Sequence, residues 1–184
     1  MKKIFIILFF LIACNNNHTK SDNNNLPFWE VKFFVNEFNE PTDVGYITNT
    51  NPILGKFYGN NISKSELRVK IMIKERAIGI KFYENNKEKA VKSSMQEPIE
   101  YELKIKHDNK LIDFNFRGIH ENEVVIISDI ISTNHQEKLI NLLKKGGKFH
   151  FQFVANDKNK KIYDFEIFDP SKSNFKNLYS KLNK

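Results

Sequence analysis

Few residues in this chain have types and spacing that could do chemistry. The five histidines, His18, His107, His120, His135 and His150, are the first place to look for a metal or a proton carrier, but no two stand in a His-x-x-x-His spacing. His120 with Glu121 and Glu123, and His135 with Glu137, form local acid–imidazole pairs. Glu37, Glu40 and Asp43 bring three carboxylates into one stretch. Calcium takes roughly six to eight oxygen ligands, and the central glycine and terminal glutamate of an EF-hand are missing here. Ser128-Asp129 is the nearest approach to a reactive serine, and no histidine is tied to it by spacing. There is no Gly-x-Ser-x-Gly elbow, phosphate loop or glycine-rich dinucleotide turn. The sequence therefore nominates no catalytic residue, metal ligand or cofactor, and we read the chain as a non-enzyme. One residue does have defined chemistry: Cys14, the single cysteine, which has no intramolecular disulfide partner.

What precedes Cys14 explains it. Lys2-Lys3 is a positive head, Ile4 to Ile12 is an apolar run, and Ala13 is the small residue before a cut. That is the layout of a secretory signal peptide. The run is too short for a spanning helix, which needs roughly 20 residues. Leu11-Ile12-Ala13-Cys14 resembles the lipobox of bacterial lipoproteins. The resemblance covers the first fourteen residues. It implies cleavage before Cys14, a diacylglycerol on its sulfur and, often, an acyl chain such as palmitate on the new N-terminus. Burying acyl chains is worth about 0.8 kcal/mol per CH₂, so two or three chains hold a protein on a bilayer. The anchor also removes an otherwise reactive thiol. Residues 14–26 follow as a lipidated tether: Asn15 to Asn25 contains no large apolar residue, so we expect disorder and a reach of about 20 Å. In enterobacterial lipoproteins an aspartate two residues after the cysteine retains the protein at the inner membrane. Asn16 stands there, so the resemblance favours the outer membrane.

Removing residues 1–13 from 184 leaves 171, enough for one domain with a substantial core, residues 27–184. The formal charge of +7 falls to about +5 once Lys2 and Lys3 are lost. A basic balance suggests nucleic acid or anionic lipid. Export argues against nucleic acid, and the cations are spread along strands rather than massed in one block.

Alternation with a period of two dominates the domain. Trp29, Val31, Phe33 and Val35 alternate with Glu30, Lys32, Phe34 and Asn36, and Trp29 fills core near a sheet edge. Residues 37–52, rich in proline, glycine and asparagine, read as a loop. Gly55 to Gly59 is a short strand. Leu67, Val69, Ile71 and Ile73 alternate with Arg68, Lys70, Met72 and Lys74, and Ile78, Ile80 and Phe82 return as a hairpin. Its outer face would display Arg68, Lys70, Lys74 and Lys81, a candidate basic binding face. Glu37-Phe38-x-x-Pro41-Thr42, Tyr46-Ile47-Thr48, Gly55-Lys56-Phe57 and Ser65-x-Leu67-x-Val69 together resemble a group of small uncharacterised bacterial and phage-borne β proteins. That resemblance spans about residues 29–84 and implies no activity.

Ala90-Val91-Lys92 is a candidate short strand. Residues 99–106 and 111–116 form a second hairpin around His107 to Lys110. Val124 to Ile127 reads as a strand buried on both faces. A helix at about 134–145 is capped by Thr133 or Asn134 and stopped by Gly146-Gly147. A third hairpin follows with Phe149, Phe151 and Phe153 facing Tyr163, Phe165 and Ile167, and a short helix ends the chain. The expected fold is mainly β: an antiparallel sandwich or flattened barrel of roughly eight or nine strands in consecutive hairpins.

Two functional classes follow. The first is a lipid-anchored envelope lipoprotein acting as a binding or structural module, engaging an envelope or surface protein through loops or the basic sheet face; a further idea, from the phage-like resemblance, is a lipoprotein that masks a receptor or excludes a competing phage. The second is a small envelope hydrolase whose site lies in the 37–52 loop or near His120.

Overall fold

The computed structural model describes residues 27–92, 99–121, 123–128, 135–170 and 174–182. Cys14, the cleavage residues Leu11, Ile12 and Ala13, and the tether to residue 26 lie outside the described residues. So do the cap candidates Thr133 and Asn134.

Ten strands and two helices are present among the described residues: β1 (Trp29–Val35), β2 (Pro41–Asn49), β3 (Ile53–Gly59), β4 (Ile62–Lys74), β5 (Ala77–Glu84), β6 (Ile99–His107), β7 (Lys110–Glu121), β8 (Val124–Ser128), α1 (His135–Leu143), β9 (Gly147–Ala155), β10 (Ile162–Asp169) and α2 (Asn174–Leu182). Eight strands close on themselves. From β4 the wall runs through β3, β10, β9, β6, β7, β8 and β5, and β5 pairs back to β4. All these pairings are antiparallel. The fold is thus a closed barrel with two added strands: β1 pairs with β2, and β2 joins β4 through Ile47↔Ile73 and Thr48↔Met72.

The alternation explains the wall. Leu67, Val69, Ile71 and Ile73 of β4, Phe149, Phe151 and Phe153 of β9, and Tyr163, Phe165 and Ile167 of β10 are all buried and face inward. A barrel of this size is filled by its own side chains. Here aromatic rings do much of the filling: Phe82 stacks on Tyr163 (4.1 Å, 6°) and Phe151 on Phe165 (5.1 Å, 5°). Helix α1 buries Leu139, Ile140 and Leu143, and its chain turns off at Gly146 and Gly147, both with positive φ. Helix α2 lays Phe175 against Trp29 (5.2 Å, 61°), whose indole N–H donates to Asp169 Oδ2 (2.9 Å). The hairpin turn at Asp108 and Asn109 places both residues at positive φ, as a two-residue primed turn requires.

Three expectations change. The 37–52 stretch is not a loop throughout: Pro41–Asn49 is β2, with Ile47, Thr48 and Asn49 buried. Most of β2 has a neighbour on one side only, so it needs no alternating apolar face, and its composition looks like a turn. β2 and β3 in fact share one lane along β4, interrupted at residues 50–52. The Asn49 carboxamide splints that interruption. The Ile71 N–H donates to its Oδ1 (2.7 Å), and its Nδ2 donates to the Val69 and Asn51 carbonyls (3.3 and 2.6 Å). Second, β8 is buried on one face only. Val125 and Ile127 point inward, while Val124 and Ile126 are half-buried outside. Val124 lies over Gly79 of β5, where an added Cβ would come within 2.8 Å of its methyl. Third, residues 90–92 form no strand. Ala90 is buried and Val91 N–H donates once, to Phe82 O (2.8 Å).

Candidate functional site

Arg68, Lys70, Lys74 and Lys81 lie on one face of the β4–β5 pair. Antiparallel pairing sets Arg68 opposite Tyr83, Lys70 opposite Lys81 and Lys74 opposite Ala77. The four cations then meet different fates. Arg68 Nη2 donates to the carbonyls of Asn86 and Lys87 (2.8 and 2.9 Å), so this guanidinium fastens the turn after β5. Lys81 and Lys92 both hold Glu123 (3.4 and 3.3 Å), and these bonds keep the Glu123 carboxyl below its ordinary value, the Lys92 bond foremost. Lys74 sits 6.0 Å from the Phe34 ring centre. Lys70 is the crowded one. Burial first, then Lys32 and Lys81, push its ammonium below the ordinary lysine value, and Glu30 only partly offsets this. Lys32 comes from β1, a different part of the chain, so sequence reading of the β4–β5 hairpin missed it. A cleft of about 320 Å³ opens beside this group, with Thr50, Pro52, Arg68, Lys70, Tyr83 and Glu88 among its walls.

A second polar group lies at the barrel end where β5, β7 and β10 meet. The His120 Nε2–H donates to Val91 O (3.1 Å), which leaves Nδ1 to accept from the Tyr101 hydroxyl (3.2 Å). Tyr163 stands beside Tyr101, ring centres 6.0 Å apart. The Tyr163 hydroxyl donates to Glu84 Oε1 (2.7 Å), and Lys161 Nζ donates to the same oxygen (2.7 Å). Tyr101, Tyr163 and His120 are each 1–2% exposed. Burial raises both tyrosines above their ordinary value. For Tyr163 the neighbouring Tyr101 and Glu84 add to it. Burial lowers His120, Lys161 adds to that, and the bond to Val91 opposes it. The carboxylate in this group is Glu84, reached through two tyrosines, not the sequence neighbour Glu123. The arrangement satisfies polar atoms inside an apolar barrel; among the described side chains His120 bonds Tyr101 and Val91 and no carboxylate.

The other candidates separate. His107 Nε2 bonds Gly146 O (2.9 Å) and stacks on Phe149. His150 pairs with Asp164 on the outer wall (3.0 Å). Among the described residues no group of three His, Cys, Asp or Glu side chains is placed to hold a metal ion.

The third region is the β1–β2 arm, which runs past the end of β4. Phe33, Phe34, Val35, Phe38 and Val44 are five of the seven large apolar side chains exposed among the described residues, and Phe38 at the tip is 74% exposed. The tip is firmly built. Asn36 Oδ1 accepts from the backbone N–H groups of Phe38 and Glu40 (2.9 and 3.0 Å), Asn36 Nδ2 donates to Glu40 Oε2 (3.0 Å), and Thr42 Oγ1 donates to Phe34 O (3.0 Å). Glu37, Glu40 and Asp43 belong to the same arm, and no Lys, Arg or His occurs from Phe33 to Gly55. The three carboxylates considered for calcium thus decorate an apolar protrusion.

Comparison with protein-family models, curated proteins and solved structures finds no match to this chain.

Proposed function

We propose that this chain is a lipid-anchored protein of the bacterial cell envelope that works as a binding module. The leader and the Leu11-Ile12-Ala13-Cys14 motif support the anchor, with the lipid on Cys14. The observation that carries the binding reading is the arm. Contiguous exposed apolar surface on a soluble domain marks an interaction site. Here it sits on a braced hairpin and serves no purpose in the barrel core. A lipid at Cys14 makes this surface unnecessary for membrane attachment, which leaves it for a partner. The crowded Lys70 offers an additional contact for an anionic group. The hydrolase reading has less support, because the buried His120 group and the arm carboxylates are far apart in role and environment. Receptor masking or phage exclusion is a narrower form of the same binding reading.

The test has two stages. Intact mass and fractionation of wild type and Cys14→Ala come first: diacylglycerol mass and membrane recovery for wild type alone support the anchor. Capture from solubilised envelopes then compares wild type with Phe38→Asp. Equal recovery of interacting species by both would overturn the arm as the binding surface.

A further inference from the structure

We infer that the outer edge of β1 is a self-association strand, on which a second copy of this chain docks antiparallel, centred on Phe33. The inference rests on the reading of the arm as a binding surface and names its occupant.

The backbone sets the geometry. The Thr50 N–H donates to Phe28 O (2.9 Å) and Thr42 Oγ1 to Phe34 O, so the even-numbered residues of β1 turn their polar groups toward β2. The Trp29 carbonyl points the other way and accepts from Asn174 Nδ2 (2.9 Å). Backbone groups alternate along a strand, so Val31 and Phe33 aim theirs outward. β1 ends the order of the sheet, and among the described residues no strand covers that edge. An apolar edge of this kind is a template for another strand unless it is covered.

The side chains choose the occupant. Centring a two-fold pairing on Phe33 sets Phe33 against Phe33 of the second copy, Val31 against Val35 and Lys32 against the Phe34 ring. It uses outward groups to which no other described residue is bonded. Centring on Val31 would need the Trp29 carbonyl, which Asn174 already holds. Centring on Lys32 would set two ammonium groups opposite each other. The charges agree with the first choice. Antiparallel docking carries the tip, with Glu37, Glu40 and Asp43, past the start of the second copy's β1 toward α2, which bears Lys176 and Lys181 and no acidic residue. An anionic lipid surface would instead be repelled by those carboxylates. The contact is isologous, so it closes at two copies and leaves no open end.

Cysteine cross-linking in the envelope tests this register. Residues directly opposite in a hydrogen-bonded antiparallel pair have Cα atoms about 5.5 Å apart, within disulfide range. Wild type, whose Cys14 is lipidated on the proposed reading, is the blank. Oxidation of Phe33→Cys should give a strong dimer band. Val31→Cys and Val35→Cys should each give a weak one alone and a strong one when co-expressed. Leu54→Cys, more exposed than Phe33 (75% against 49%) and placed on β3, should give none. In detergent, sedimentation of Phe33→Asp should show monomer where wild type is dimeric. No dimer from Phe33→Cys, equal dimer from Leu54→Cys, or a cross-link to a different protein would overturn self-association. The last result would leave the binding-module reading standing. Loss of that reading shows separately, as an unlipidated, soluble wild type.

Discussion

The two ends of this molecule handle polarity in opposite ways. At one end the barrel takes Tyr101, Tyr163, His120 and Glu84 inside and bonds each of them to another. At the other, the β1–β2 arm puts Phe33, Phe34, Val35 and Phe38 outside. A polar group buried without a partner costs about 1–3 kcal/mol, so the first end is wired for stability. Phe34 packs on Tyr46 (4.7 Å) and Phe33 lies beside Gly45, while Phe38, 74% exposed at the tip, contributes little to the fold. The bonded polar group and the exposed apolar side chains thus lie in separate parts of the domain.

The largest effect that would test this division is in the aromatic core. Phe82→Ala removes the ring stacked on Tyr163 and packed against Phe153, and should destabilise by about 3–5 kcal/mol. Phe38→Ala should change stability by less than about 0.5 kcal/mol. Urea midpoints of both variants measure it, and a comparable loss for Phe38→Ala would mean that the arm is part of the folding core. Next in size is Glu84→Ala, which strips the acceptor from the Tyr163 hydroxyl and the counter-charge from Lys161. A loss of about 1–3 kcal/mol is expected. A variant as stable as wild type would show that the wired end is dispensable.

The smallest effects are in pH. His120 is held below its ordinary value, so below about pH 6.5 the unfolded chain takes up a proton that the folded chain refuses. The share of stability due to neutral His120 is present above that pH and is lost as pH falls toward the folded value. The tyrosines behave in the opposite sense. Tyr101 and Tyr163 keep their protons in the fold above the ordinary value near 10, so stability is full below about pH 10 and falls as pH rises beyond it. Denaturant midpoints across pH, for wild type and His120→Gln, check the acid limb: the variant should show a flatter one.

Much of the barrel was legible because it obeys local rules. Leu67 to Ile73, Ile99 to Ile105 and Phe149 to Phe153 alternate strictly, and their turns carry the residues such turns demand. The unread parts depend on distance. Glu84 and Tyr163 stand 79 residues apart, and only the barrel brings their oxygens together. A hint was present: Tyr101 and Tyr163 occupy inward positions near the ends of their strands, and a buried tyrosine needs a partner for its hydroxyl. β2 escaped because one neighbour holds most of it, so its residues need not alternate. Asn49 looked like loop chemistry, and its carboxamide does mimic a backbone pairing, but within a sheet. Of the four cations on the outer face of β4 and β5, Arg68 is tied to the turn after β5, and Lys32 approaches them from β1.

The place of β10 has a consequence for how the chain is made. It fills the gap between β3 and β9, pairing Ile162 with Tyr58 and Phe165 with Gly55. The ring therefore cannot shut until nearly the last strand has been synthesised. Contacts so distant in sequence form late. A chain emerging from the ribosome lacks the piece that completes its core and stays open throughout its synthesis. In folding terms this strand order works as a timing device: the sequence-local hairpins form first, and closure waits for β10.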